Sequence, residues 1–318
     1  MRRRTLLLSS LLPVAARAQA AGYRVIDLMP DFWAFHARAQ GLAPEAQAAL
    51  FEQEVAARHP DAYAPNVIGL DPAKPYGEQL QRRYLRVLPI LADRTDLMRR
   101  LSTSIARDLP RYEARFRETF PDLDYRGDIY FLHSLGGFDG GTRRVDGRTA
   151  LLFGVDMIAW VYGEGIDPQP FFHHELFHIY QGQFAAAGEA ERDDDPLVTA
   201  LWREGLATYV AQTLNPQAGG VSIFGLPRTT PARVLANRPQ LARDLRGLLD
   251  SRAPGDYKRW FLGGRDENAE VPGRAGYVLG YHVAERLAQR HPLRELARLP
   301  VTALRPEIDA ALDALGRG

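Results

Sequence analysis

His174, Glu175 and His178 stand in the order His-Glu-x-x-His, and no other feature of the 318 residues constrains the fold as much. Residues four apart lie one above the other on a helix, so the two imidazoles can act together if this stretch is helical. Two ring nitrogens so placed can grip one metal ion. Glu175 lies about 100° further round the helix, beside the metal rather than on it. A carboxylate there can take a proton from a metal-activated water. A chain with 8 His meets this spacing by chance about once in a hundred, so a third ligand becomes the discriminating feature.

An open catalytic zinc site takes three protein ligands and keeps one position free. The chain has no Cys, so the third ligand must be His, Asp or Glu. Glu204, in the run Leu201-Trp202-Arg203-Glu204-Gly205-Leu206-Ala207-Thr208-Tyr209, is the best candidate. It follows His178 by 26 positions, enough for one helix to end, a loop to turn and a second helix to pack back. Asp167-Pro168 reads as the start of the first helix, with Asp as cap and Pro in the first turn. The polar run Glu189 to Asp195 reads as the loop. Asp195-Pro196 then opens a second helix that ends at Asn215-Pro216. Gly205 costs that helix roughly 1 kcal/mol relative to Ala; it marks either a close approach of the two helices at the metal or an ordinary small residue at a packed crossing. The alternative for Glu204 is a surface or salt-bridged glutamate. His173 points about 100° away from His174, which leaves it a supporting or surface residue. His36, His59, His133, His282 and His291 are scattered and read as structural.

His174-Glu175-x-x-His178 followed by Glu204-Gly205-x-Ala207-x-Tyr209 resembles the gluzincin group of zinc metallopeptidases, nearest to small predicted bacterial zinc-dependent proteases. The resemblance covers about residues 125–290 and is firm at the two motifs. It implies His174, His178 and Glu204 as ligands of one Zn2+ per chain and Glu175 as general base. It also implies a peptide or protein substrate, and a downstream Tyr or His that donates to the oxyanion. Tyr277 is the first candidate for that donor and Tyr281 the second; they are four apart, with Arg274 one turn before Tyr277. The alternative is a pair of tyrosines packed at a core boundary. One departure stands out. Many gluzincins carry an Asp four residues after the glutamate ligand, where it orients a zinc histidine; Thr208 occupies that place here.

The fold class expected is α+β: a small sheet, the His-Glu-x-x-His helix and the glutamate helix forming a zincin-like core, with mainly helical parts on either side. Residues 21–125 form the helical N-terminal region and 126–318 the catalytic region with a helical C-terminal lobe. The spacing of apolar residues predicts helices over Ala43–Arg58, Tyr76–Leu88 and Asp93–Leu109. Pro110 is expected to break the last, with Arg111–Phe120 separate. Asp27–Phe35 is a short apolar segment that suits a cleft wall. Asp128–Ser134 and Thr149–Asp156 read as strands, joined by the turn-rich Gly136–Gly141. Thr149–Val155 is a candidate edge strand for pairing with an extended substrate, with an interior strand as the alternative. Ala232–Arg252, Arg274–Arg290 and Pro306–Leu315 read as helical. Gly263–Asn268 reads as a loop near the site.

Residues 1–20 read as an export signal. Arg2-Arg3-Arg4 precede a short apolar run, and Ala18-Gln19-Ala20 suits cleavage. Arg3-Arg4-Thr5-Leu6-Leu7 partly matches a twin-arginine signal. Periplasmic or secreted placement follows. Without the four arginines of that segment, Arg2, Arg3, Arg4 and Arg17, the formal charge of +1 becomes −3. That balance argues against a nucleic-acid partner, and no later stretch is apolar enough for stable membrane insertion. The leading expectation is an exported zinc metallopeptidase. Two others compete: a zinc hydrolase of a non-peptide amide of the cell envelope, and a non-catalytic zincin-like binding protein, against which Glu175 argues.

Overall fold

The computed structural model describes residues 23–184, 195–262, 266 and 268–317. The export segment 1–20, the run Glu189–Asp194 and most of Gly263–Asn268 lie outside them. Helix makes up 63% of the described residues and their sheet has four strands, which is the α+β class. No described helix is long and apolar enough to cross a membrane.

The chain opens with strand β1 (Val25–Asp27) and helix α1 (Met29–Ala39). The segment expected to line a cleft is therefore the junction of these two, where the Asp27 carboxylate accepts from Met29 N at 3.0 Å. Helix α2 (Pro44–Phe51) widens into a π-helical turn over Glu52–Ala56, and α3 (Tyr76–Leu91) and α4 (Thr95–Thr119) follow. Pro110 does not break α4. Its buried stripe runs through Leu97, Leu101, Ile105, Leu109, Tyr112 and Phe116 on both sides of the proline. A proline inside a helix costs about 3 kcal/mol, whereas each fully buried large apolar side chain contributes roughly 1.5–3 kcal/mol. The continuous stripe therefore outweighs the lost backbone bond.

The sheet contains β1, β2 (Asp128–Leu132), β3 (Gly140–Val145) and β4 (Arg148–Gly154), in the order β1-β2-β4-β3. The first three in that order run parallel, and β3 returns antiparallel to β4. Strand β4 thus pairs on both sides. Of the two readings of Thr149–Val155, the interior strand is the one found: the edges are β1 and β3. The reason is a hairpin. Asp146 and Gly147 both sit at positive φ, 48° and 68°, the geometry of a tight two-residue turn that suits Asp-Gly. It folds Val145 back against Arg148.

Helix α5 (Val155–Tyr162) leaves the end of β4, and α6 (Pro168–Gly182) carries the His-Glu-x-x-His residues. The Asp167 carboxylate accepts from Gln169 N at 3.0 Å, a side-chain cap on the first turn. Helix α7 (Leu197–Leu214) carries Glu204, and its first two amides are satisfied by the carbonyls of Ser251 and Leu249. The longer helices that follow are α8 (Thr230–Ala236), α9 (Arg238–Arg246), α10 (Ala275–Ala288) and α11 (Val301–Arg317). A single apolar core joins the N-terminal helices, the sheet and the C-terminal helices.

Helix α10 lies tightly on α7. A Cβ on Gly205 would stand 2.3 Å from Gly280 C, and one on Gly280 would stand 2.5 Å from Leu201 O. Of the two readings of Gly205, the small residue at a packed crossing is the one found: the helix it meets is α10 and not the histidine helix.

Candidate metal centre

Each ligand candidate is placed by its own helix. On α6 the two imidazoles emerge one turn apart, with ring centroids 4.6 Å apart and planes at 82°. Phe172, Leu176, Phe177 and Tyr180 on the other side of α6 are buried and fix its rotation. Helix α7 then brings Glu204 across. His174 Nε2 and His178 Nε2 are 2.9 Å apart. Glu204 Oε2 lies 3.2 Å from His174 Nε2, and Oε1 lies 3.5 Å from His178 Nε2. His174, His178 and Glu204 form the one three-residue cluster among the described residues that could hold a metal ion.

The donor set fits a small divalent ion. Ligand atoms about 2.0–2.2 Å from a tetrahedral centre stand about 3.3 Å from one another, and the three separations here bracket that value. The three side chains are 12%, 16% and 14% exposed, so the cluster is recessed yet open on one side. The charges agree. Burial disfavours a charge on Glu204, but the two histidines offset it and hold the carboxylate well below its usual range. Burial lowers His174, whereas on His178 the Glu204 carboxylate more than offsets burial and raises it. A positive charge is drawn to this point, and a metal cation would supply it without a proton.

Glu175 follows His174 round the helix and does not join the cluster. Its carboxylate is buried against the start of β3, where a Cβ on Gly140 would stand 2.7 Å from Glu175 Cδ and 2.8 Å from Oε1. Burial pushes Glu175 up to about 8, His178 opposes this, and Asp139 and Glu204 add to it.

The tyrosines separate. The Tyr277 ring lies 6.2 Å from that of His174. Burial, helped by the Glu204 charge, raises its hydroxyl well above 10, so it stays protonated and can donate. Tyr281, one turn on, packs against Tyr209 and Phe224 at 5.4 and 5.6 Å. Of the two, Tyr277 neighbours the cluster.

His173 is buried and away from the cluster. One ring nitrogen meets Tyr112 O at 2.9 Å and the other meets Asn215 Nδ2 at 2.8 Å. Asn215 in turn donates to Ala211 O and accepts from Gln169 Nε2. This network ties α4, α6 and α7 together, so His173 is a structural residue and does not lie on the surface. Thr208 donates its hydroxyl to the Glu204 carbonyl at 2.7 Å. That bond is spent within α7, and Thr208 does not take the place of an orienting Asp. His178 Nδ1 is buried without a partner.

Two neighbours of the site are not read from the sequence as functional. Gly140 gives Glu175 its room. Arg274, at φ 63° before the first turn of α10, lays its guanidinium over the Tyr277 ring at 4.1 Å. Burial works against its charge, but the fields of Tyr277, Tyr162, Asp139 and Glu204 more than offset this and hold it protonated.

The fold and site define an α+β protein with a two-histidine, one-glutamate cluster able to hold a metal ion. No family model matches the chain, and neither a curated protein nor a solved structure matches it.

Proposed function

We propose that the chain is a zinc-dependent peptidase of the gluzincin type, exported by way of residues 1–20, acting on peptide or protein substrates. The observation that carries this reading is the convergence of the two imidazole Nε2 atoms and the Glu204 carboxylate, within 2.9 to 3.5 Å of one another, with the Glu175 carboxylate on the adjoining face of α6. A protein that only bound a metal would have no use for a buried carboxylate there.

His174, His178 and Glu204 would hold the zinc. When bound, zinc acts as a Lewis acid toward a carbonyl oxygen and makes water nucleophilic near neutral pH. Glu175 accepts the proton of the attacking water and passes it to the leaving nitrogen. Tyr277, kept protonated, donates to the oxygen on which charge develops. Gly140 keeps the neighbouring strand close enough to exclude bulk water from Glu175 without displacing it.

The test is hydrolysis of casein by the zinc-loaded protein beside Glu175→Gln at equal zinc content. Cleavage that falls at least about 1000-fold in Glu175→Gln is the expected result. Equal activity in both proteins would remove Glu175 from the reaction, and no cleavage by either would contradict the peptidase reading.

A further inference from the structure

Arg274 is a cation beside the cluster that the chemistry above leaves unused. Its Nε is buried and has no hydrogen-bond partner. Among the described residues the guanidinium makes no hydrogen bond or ion pair; its one contact of note is the Tyr277 ring, 4.1 Å from Cζ. The surrounding negative field offsets the burial of its charge, but no acceptor meets the N–H groups directly, and a buried donor left unbonded costs about 1–3 kcal/mol. The backbone also departs from the usual regions, because Arg274 holds φ 63°, ψ 22°, a conformation that costs a non-glycine residue about 1 kcal/mol or more. A strained, partly buried and unpaired arginine one aromatic ring away from a metal-ligand histidine fits a group that waits for an anion.

The anion is narrowed by shape and reach. A guanidinium presents a planar fork that matches a carboxylate in bidentate fashion. One residue of extended chain spans about 3.5 Å. A substrate whose scissile carbonyl lies at the cluster would therefore bring its terminal carboxylate to Arg274 after one or two residues. The first turn of α10, with the positive end of its helix dipole, adds to the attraction.

We propose that Arg274 binds the terminal carboxylate of the substrate, so that the enzyme trims one or two residues from free C-termini. In that reaction the hydroxyl of water adds to the scissile carbonyl carbon, the C–N bond breaks, and the proton passes to the departing amine. The inference rests on the peptidase reading, and Arg274 is a specificity-determining residue within it.

The experiment measures equilibrium binding to zinc-loaded Glu175→Gln protein, which retains the ligands and does not turn over. The probes are a pool of N-acetylated hexapeptides randomised at the last four positions and the same pool as C-terminal amides. The free acids are expected to bind about 10-fold more tightly or better. Arg274→Gln should abolish that preference, and Arg274→Lys should restore part of it in a protein that melts at the wild-type temperature. Equal binding of acid and amide, binding of neither, or a preference that survives Arg274→Gln would overturn the proposal. Hydrolysis by the wild-type protein separates the two claims. Cleavage without acid preference sinks the role of Arg274 alone, and acid-selective binding without cleavage sinks the peptidase reading alone.

Discussion

Gly140 on β3 lies directly against the carboxylate of Glu175: a methyl group at position 140 would stand 2.7 Å from Glu175 Cδ and 2.7 Å from Phe171 Cζ. The ring of Phe171 is packed and cannot yield, so Glu175 must. Gly140→Ala is expected to keep its zinc and lose about 10- to 100-fold in kcat, because a displacement of about 1 Å at a reacting group costs on that order. Zinc content and steady-state kinetics on the same preparation check it; unchanged kcat would show that Glu175 has room to spare.

Tyr277 is expected to act on the reaction and not on the metal. Removing its hydroxyl in Tyr277→Phe keeps the ring against His174 and under Arg274. We expect kcat to fall about 100-fold, the order associated with one oxyanion donor, at equal zinc occupancy. Tyr281→Phe, beside Tyr209 and Phe224, should change kcat less than about 3-fold. The reverse ranking would transfer the role to Tyr281.

The crossing of α7 on α10 has no space for a side chain. Gly280→Ala pushes a methyl into Leu201 O and Gly205 Cα, at 2.5 and 2.8 Å, both backbone atoms. Overpacking of this kind costs about 1–3 kcal/mol. Because Glu204 adjoins Gly205, zinc affinity should fall as well. Urea unfolding and zinc titration measure both, and a stability loss below about 0.5 kcal/mol would show that the helices separate freely.

Asp128 supplies a pH dependence remote from the cluster. Its carboxylate, buried at the start of β2, accepts two bonds from Arg24, at 2.9 and 2.7 Å, with Arg148 at 3.8 Å. These contacts tie the residue that precedes β1 to β2 and β4. The bond from Arg24 holds its carboxyl below the usual range, although burial opposes this. A carboxyl with a depressed folded pKa stabilises the fold above its unfolded value, near 3.9, and that stability is lost as pH falls through the folded value. Arg24 is exposed, so solvent screening keeps the contribution small. Asp128→Asn should lose it at pH 7 and show a flatter decline of stability below pH 4. Parallel acid profiles for the two proteins would contradict the assignment.

Signals that act over a few residues were legible in the sequence. The Asp167-Pro168 cap, the four-residue spacing of His174 and His178, and the helix opened by Asp195-Pro196 lie where the pattern places them, and Glu204 meets both histidines. Strand β1 is only three residues long and carries no periodicity. Strand β3 begins with Gly140-Gly141 and so reads as linker, although Asp146-Gly147 is a hairpin signal that would have found it. Missing β3 is what left the edge reading of Thr149–Val155 open beside the interior one. Pro110 misled for a different reason: local propensity opposed a helix, and a buried stripe on both sides of it decided otherwise. Gly140 and Arg274 reach the site from positions 35 residues before and 99 residues after Glu175, and only tertiary packing brings them there.

The central claim is that His174, His178 and Glu204 hold one zinc ion. Mass spectrometry of the metal content of zinc-replete protein, beside Glu204→Ala and His178→Ala, tests it most directly. One zinc per chain in the wild type, with occupancy sharply reduced in both variants after dialysis, is the expected result. A wild-type protein without metal, or variants that keep a full equivalent, would contradict the claim and the proposed function with it.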